Sequence, residues 1–298
     1  MMTRRTLLKL LASSAACAGT SFGQTAPTSF HGFDREDLTI DGQACHLVKP
    51  HTALNGNPWL WRTMFFDAFP GVDIAMLNAG FHIAFMDVGD TFGCPDAMHH
   101  FDAFYTTLTT EHGLAAKPAL EGLSRGGLYA YRWASANPTK VAAIYGDAPV
   151  CDMKSWPGGK GTGQGDPKEW AKAIDAYHFT TEQQMIDFTG NPIDTLAPLA
   201  AEHIPILHVC GDADSTVPIA ENTMIVRERY LKLGGSFALI LKRGCDHHPH
   251  ALRDPSPIVN FIIANTTTSK SARQAAKHAP KPGSVLTLEP AQWRPTAS

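Results

Sequence analysis

The feature that most constrains this chain is Gly122-Leu123-Ser124-Arg125-Gly126-Gly127, directly after the apolar run Pro118-Ala119-Leu120. It sets G-x-S-x-G at the end of a short strand and ahead of Leu128-Tyr129-Ala130-Tyr131-Arg132-Trp133-Ala134, a helical segment. A strand that turns this tightly into a helix forces its serine into a strained backbone conformation. Flanking glycines remove the side chains that would clash there. The serine oxygen is then held out at the top of a sheet, and the next N–H, that of Arg125, points to where an oxyanion would form. Glycine and serine are common in any turn, so the motif takes its meaning from the strand-to-helix setting.

The partners that a serine nucleophile needs follow downstream, acid first and histidine second. Ile204-Pro205-Ile206-Leu207-His208-Val209-Cys210 reads as a buried strand, followed by Gly211-Asp212-Ala213-Asp214-Ser215-Thr216-Val217-Pro218. A carboxylate just past a strand end can orient an imidazole and stabilise its charged form. Asp214 is the first choice. Asp212 is a rival whose other role is to bond turn backbone, and Asp147, after the strand Val141–Tyr145, is a third. The strand Phe237-Ala238-Leu239-Ile240-Leu241-Lys242 runs into Arg243-Gly244-Cys245-Asp246-His247-His248-Pro249-His250. His247 is the expected general base and His248 the alternative, while His250 packs or caps the next helix. Three histidines invite a metal reading, but His248 and His250 flank a proline and no H-E-x-x-H occurs. The expectation is therefore no metal and no cofactor.

With serine, acid and histidine in that order, each at a strand end, the segment from about Cys45 to Ile263 resembles an alpha/beta hydrolase. The wider pattern agrees with an α/β fold: a mostly parallel sheet, helices on both faces, and a lid-like insertion. Gly80–Val88 reads as a buried parallel strand, Val72–Ala79 as the helix before it, and Asp96–His112 as the helix after it. Strands then alternate with helices, which places the active site beyond the carboxyl ends of the strands. A chain of 298 residues, 44% hydrophobic, can bury such a core. Its net charge of -3 points to neither nucleic acid nor a polybasic membrane surface. No internal stretch has the length of a membrane helix.

Thr3-Arg4-Arg5-Thr6-Leu7-Leu8-Lys9 looks like a twin-arginine export signal with Leu7–Ala18 as its apolar core, so residues 1–23 are read as a leader. That implies a periplasmic or secreted protein. Cys45, Cys94, Cys151, Cys210 and Cys245 remain, an odd number. Cys94–Cys151 and Cys210–Cys245 are both possible bridges, and burial as free thiols is equally open. The hydrolase domain is expected over 24–266, with the lid-like insertion at 149–199. Residues 267–298 read as a linker-like tail, in which Val285-Leu286-Thr287-Leu288 could add an edge strand.

Two segments should shape the pocket. Asn55-Gly56-Asn57-Pro58-Trp59-Leu60-Trp61-Arg62 leads toward the oxyanion side, so an N–H near Trp61 or Arg62 is the expected second donor and Trp59 a substrate contact. The insertion carries Trp156, Lys160 and a glycine-rich run through Gly165, then helical patterns at Pro167–Tyr177 and Thr181–Phe188. Trp156 and Lys160 are candidates to reach the cleft. The run lacks G-K-[ST] and is not a phosphate loop. Gly122, Ser124, Arg125 and Gly127 also resemble the elbow G-C-S-R-x-G-K of glucuronoyl esterases, although Leu123 and Leu128 replace its cysteine and its sugar-binding lysine. That resemblance implies that Arg125 meets either oxyanion charge or a substrate carboxylate; a salt bridge across the helix start is the structural alternative.

The reading is thus an exported serine carboxylic-ester hydrolase acting on small-molecule or polysaccharide esters. The motif Pro-Trp-x-Trp-Arg, with Asp-Ala-Pro-Val-Cys-Asp and His-His-Pro-His, is similar to secreted bacterial hydrolases that break down polysaccharides. One alternative is a serine peptidase of the prolyl-oligopeptidase kind, which shares fold and triad but usually carries a propeller for which this chain has no room. The other is a non-catalytic binding protein on the same fold.

Overall fold

The structure is a computed structural model that describes residues 28–267, 274 and 276–294; the expected leader lies outside them. The chain opens with β1 (Thr28–Phe30), β2 (Phe33–Ile40) and β3 (Gln43–Val48), an antiparallel meander. It continues through β4 (Trp59–Arg62), α1 (Gly71–Asn78), β5 (His82–Met86), α2 (Pro95–Thr110), β6 (Ala119–Leu123), α3 (Gly126–Ala136) and β7 (Ala143–Asp147). Three helices of the insertion follow: α4 (Pro167–Ala176), α5 (Glu182–Ile186) and α6 (Ala197–Ala201). The chain then returns through β8 (Ile206–Gly211), α7 (Thr223–Lys232), β9 (Phe237–Lys242), α8 (Ser256–Thr266) and β10 (Val285–Leu288). The described strands join in one sheet of order β1-β2-β3-β5-β4-β6-β7-β8-β9-β10. From β5 across to β10 every pairing is parallel.

The central strands are apolar on both sides because both faces are covered. Trp61, Leu120, Ile144 and Ile206 pack with Phe101 and Phe104 of α2, Trp133 of α3 and Tyr230 of α7. On the opposite face Leu60, Ala119, Tyr145 and Leu207 meet Met76 of α1 and Phe261 and Ile262 of α8. Alternation along each strand thus feeds two cores, as a doubly covered parallel sheet requires. In β2 the charged run Asp34-Arg35-Glu36-Asp37 is tolerated because that strand lies near the sheet edge and none of the four is buried.

Two points that the sequence left open are decided. The tail is more than a linker: β10 pairs in parallel with β9, Val285 against Leu239 through Leu288 against Lys242, and Trp293 beyond it is buried. Of the alternatives left open for the cysteines the structure has the free thiols: Cys45, Cys94, Cys151, Cys210 and Cys245 are all unbridged and buried. Burial pushes the Cys45 thiol up to about 11 and that of Cys210 to about 12, so both are inert as nucleophiles at neutral pH.

Candidate active site

β6 ends at Leu123 and α3 begins at Gly126, which leaves Ser124 and Arg125 as the whole turn. Ser124 sits at φ 49, a left-handed conformation costly for a residue with a side chain. The turn closes only because its neighbours are small. A Cβ on Gly122 would stand 2.9 Å from the Gly126 carbonyl oxygen, and one on Gly127 2.6 Å from the Pro149 side chain. Ser124 N–H donates to Asp147 O at 2.9 Å, tying the elbow to the end of β7.

The loops after β8 and β9 bring the other two residues to it. Ser124 Oγ lies 2.9 Å from His247 Nε2, and His247 Nδ1 lies 2.8 Å from Asp214 Oδ2. The other Asp214 oxygen accepts the amides of Thr216 (3.0 Å) and Val217 (2.8 Å), so the carboxylate cannot turn away. Asp246 clamps the two loops together by accepting from Ser215 N–H, Ser215 Oγ and His247 N–H. Its pKa is held below the usual carboxylate range by those amides. The rivals are occupied elsewhere. Asp212 accepts the turn amide of Gly244 at 2.6 Å, and Asp147 bonds His250 Nδ1 at 2.8 Å. Burial would raise the Asp147 pKa, but Lys242, His250 and the Tyr145 hydroxyl outweigh it and hold it well below the carboxylate range.

Ser124 and His247 open onto a cavity of about 310 Å³. Its walls are aromatic: Phe65 and Phe69 from the loop after β4, and Trp156 from the insertion. Phe65, Asp67 and Phe69 all have φ between 53 and 66, an irregular path for side-chain-bearing residues. Arg62 holds that path. Its guanidinium is fully buried, donates to the carbonyls of Met64, Phe65 and Ala68, and pairs with Asp73 and, at 3.6 Å, Glu121. Burial would lower the Arg62 pKa; the two carboxylates raise it instead. Glu121 is pushed well above the usual range by burial and by its neighbour Asp73.

Several expected contacts are placed elsewhere. Trp59 and Trp61 are fully buried and stack on each other at 5.5 Å in the core, away from the cleft. The amides of Trp61 and Arg62 belong to β4, which pairs on both sides with β5 and β6. The part of this segment that reaches the cleft is the loop beyond, at Phe65, Ala68 and Phe69. The Arg125 guanidinium points away: it bonds Asp90 Oδ1 at 2.5 Å and Glu169 Oε2 at 2.6 Å, between the rings of Phe65 and Phe92. Its amide remains at the start of α3, among those a helix leaves unpaired. Lys160 pairs with Glu182 at 2.6 Å and does not line the cavity. Phe65, Phe69 and the His250–Asp147 pair were missed from sequence. A positive φ at an aromatic residue and a pairing across 103 residues leave no local pattern.

No family model and no curated relative matches the sequence. Solved structures do match. A puromycin-hydrolyzing peptidase of Mycobacterium tuberculosis superposes with a TM-score of 0.61 at 13% identity, over 86% of this chain and 41% of that one. An acylaminoacyl peptidase of Pyrococcus horikoshii gives 0.56 at 13%, over 72% and 37%. A 2,6-dihydroxy-pseudo-oxynicotine hydrolase gives 0.53 at 18%, over 72% and 62%. The chain therefore spans less than two thirds of each of these proteins. The likeness is one of architecture, and with the sheet order and the elbow it identifies the fold of this chain as that of the alpha/beta hydrolases.

Proposed function

We propose that the chain is a serine hydrolase that cleaves an amide or ester through an acyl-enzyme, with small peptide or aminoacyl amides as the preferred class. The observation that carries this is the chain Ser124–His247–Asp214, with links of 2.9 and 2.8 Å, on the floor of an aromatic cavity. Ser124 Oγ attacks the carbonyl carbon while His247 Nε2 takes its proton. Asp214 keeps the remaining imidazole proton on Nδ1 and stabilises the imidazolium. The Arg125 amide and one from the loop after β4 receive the oxyanion. The tetrahedral intermediate collapses, His247 protonates the departing amine or alcohol, and water repeats the sequence on the acyl group.

The peptidase reading is supported by the peptidases among the structural neighbours and by the cavity. Phe65, Phe69 and Trp156 offer an apolar side chain an aromatic wall. A polysaccharide ester is the second reading, motivated by the elbow's arginine. It is weakened because the Arg125 guanidinium is already matched by two carboxylates, and among the described residues no lysine or arginine lines the cavity. Export, which the leader motif suggests, is compatible with both. The test compares purified wild type and Ser124→Ala on an aromatic aminoacyl anilide, a p-nitrophenyl ester and a methyl glucuronate. Preference for the anilide supports the first reading, and preference for the glucuronate reverses the order. Absence of turnover on all three, with no labelling by a serine-reactive phosphonate, would point to a binding protein.

A further inference from the structure

The cleft holds three imidazoles, and the hydrolytic steps use one. The rings of His247, His248 and His250 stand edge-on to one another, with centroids 4.8 to 4.9 Å apart. One ligand nitrogen from each lies within 4.8 Å of the others. Two of the rings are preset. Asp214 holds Nδ1 of His247 and Asp147 holds Nδ1 of His250, each at 2.8 Å, and these carboxylates are 1% and 0% exposed. A carboxylate on Nδ1 keeps the proton there, fixes the ring and leaves Nε2 as a basic lone pair, the arrangement that orients histidines on metal ions. His247 Nε2 meets Ser124, whereas His250 Nε2 and both ring nitrogens of His248 have no hydrogen-bond partner among the described residues.

We propose that His247, His248 and His250 form an inhibitory site for a divalent transition ion, zinc foremost, that shares His247 with the Ser124 centre. Imidazole nitrogen suits zinc, and three nitrogens with one open position make a normal tetrahedral set. Zinc–nitrogen bonds of about 2.0–2.1 Å put tetrahedral ligands about 3.3 Å apart, so the cluster has to contract. His248, which is exposed and whose ring has no hydrogen-bond partner among the described residues, can make part of that movement. Water or Ser124 Oγ takes the fourth place. The ion occupies the Nε2 lone pair of His247, so that ring can no longer accept the serine proton. The metal thereby blocks hydrolysis and supplies no chemistry to it. Phe69 packs against both rings, at 5.7 Å from His248 and 5.3 Å from His250.

The inhibition rests on the proposed hydrolytic role of His247; the binding does not, and the experiment separates them. Cobalt(II) is titrated into the full chain while its visible d–d absorption is followed. One ion per chain with the intense bands of a tetrahedral site is expected, displaced by zinc. His248→Ala should weaken binding by at least about tenfold, as loss of one of three ligands demands. In parallel, zinc should inhibit wild-type ester hydrolysis and a chelator should restore it. His248→Ala should need a higher zinc concentration for half inhibition, measured against its own metal-free rate. Failure of wild type to bind cobalt, or equal binding by His248→Ala, overturns the site whatever the activity. Binding without inhibition of an active enzyme overturns the shared role of His247.

Discussion

Ser124 and His247 are 2.9 Å apart and act as one unit in the proposed reaction, so losing either should cost nearly the same. Ser124→Ala and His247→Ala are each expected to lower turnover on the order of a million-fold in a protein that stays folded. His250→Ala should instead show its effect in stability, because it strips a buried carboxylate of one of its partners. Steady-state kinetics beside denaturant melts rank the three, and a reversed ranking of the histidines would transfer the base role to His250. Arg125 belongs to a different account. With its guanidinium tied to Asp90 and Glu169, Arg125→Ala should lower the melting temperature by about a few degrees. Both kcat and KM should hold for a neutral and a uronate ester. A fall in kcat alone would show that the side chain meets transition-state charge, and a rise in KM for the uronate alone would restore the substrate grip.

Between β4 and α1 the chain follows a path that regular structure would not choose, with aromatic residues at positive φ facing the cleft. One buried side chain organises it. Arg62 collects three loop carbonyls on one side and two carboxylates on the other. Its removal leaves Asp73 and Glu121 buried without a counter-charge. Arg62→Ala should therefore cost about 3–5 kcal/mol of stability, as breaking a buried ion pair does. Any surviving folded fraction should lose activity, because the Phe65 loop forms one wall of the site. Urea midpoints on the variant decide this: a loss below about 1 kcal/mol, the range of exposed pairs, would mean that the loop stands without its clamp. The insertion is better marked locally. Asp166 and Thr181 cap α4 and α5 through side-chain bonds to the first-turn amides, which is why those helices are visible from sequence.

Across the whole molecule, stability carries a pH dependence written into the core. His208 on β8 is fully buried between the Tyr131 hydroxyl (2.7 Å) and Thr223 Oγ1 (2.9 Å). Burial lowers its pKa from 6.5 to about 3, with a partial opposing effect from Asp147. Between those values the unfolded chain binds a proton that the native state refuses, so acid favours unfolding. The contribution is fully present above pH 6.5 and is lost as the pH falls toward 3. Glu121 slopes the other way, because its raised pKa makes the native state the better proton binder above 4.5. The difference between variants isolates His208. Denaturant midpoints of His208→Gln should vary less steeply with pH below 6.5 than those of wild type, even though the variant is weaker at pH 8. Parallel curves would remove His208 as the cause.

The part of this protein that its sequence determined alone is the part governed by neighbours in the chain. Glycines at Gly122 and Gly127 are demanded by a turn of two residues, and Asp214 and His247 each stand a few residues past a short apolar strand, so the meeting of Ser124, His247 and Asp214 was legible. Tertiary structure decided everything that depends on what arrives from far away. Trp59 and Trp61 lie in a strand covered on both faces and so became core, although the same residues at a rim would have been substrate contacts. Arg125 turned from the cleft because Asp90 and Glu169 come from two other segments. Val285–Leu288 found its register only because β9 left an edge open. His250 was claimed by Asp147, which no spacing in the sequence connects to it. Local strain is encoded within a few residues, while burial and charge pairing are properties of the assembled fold.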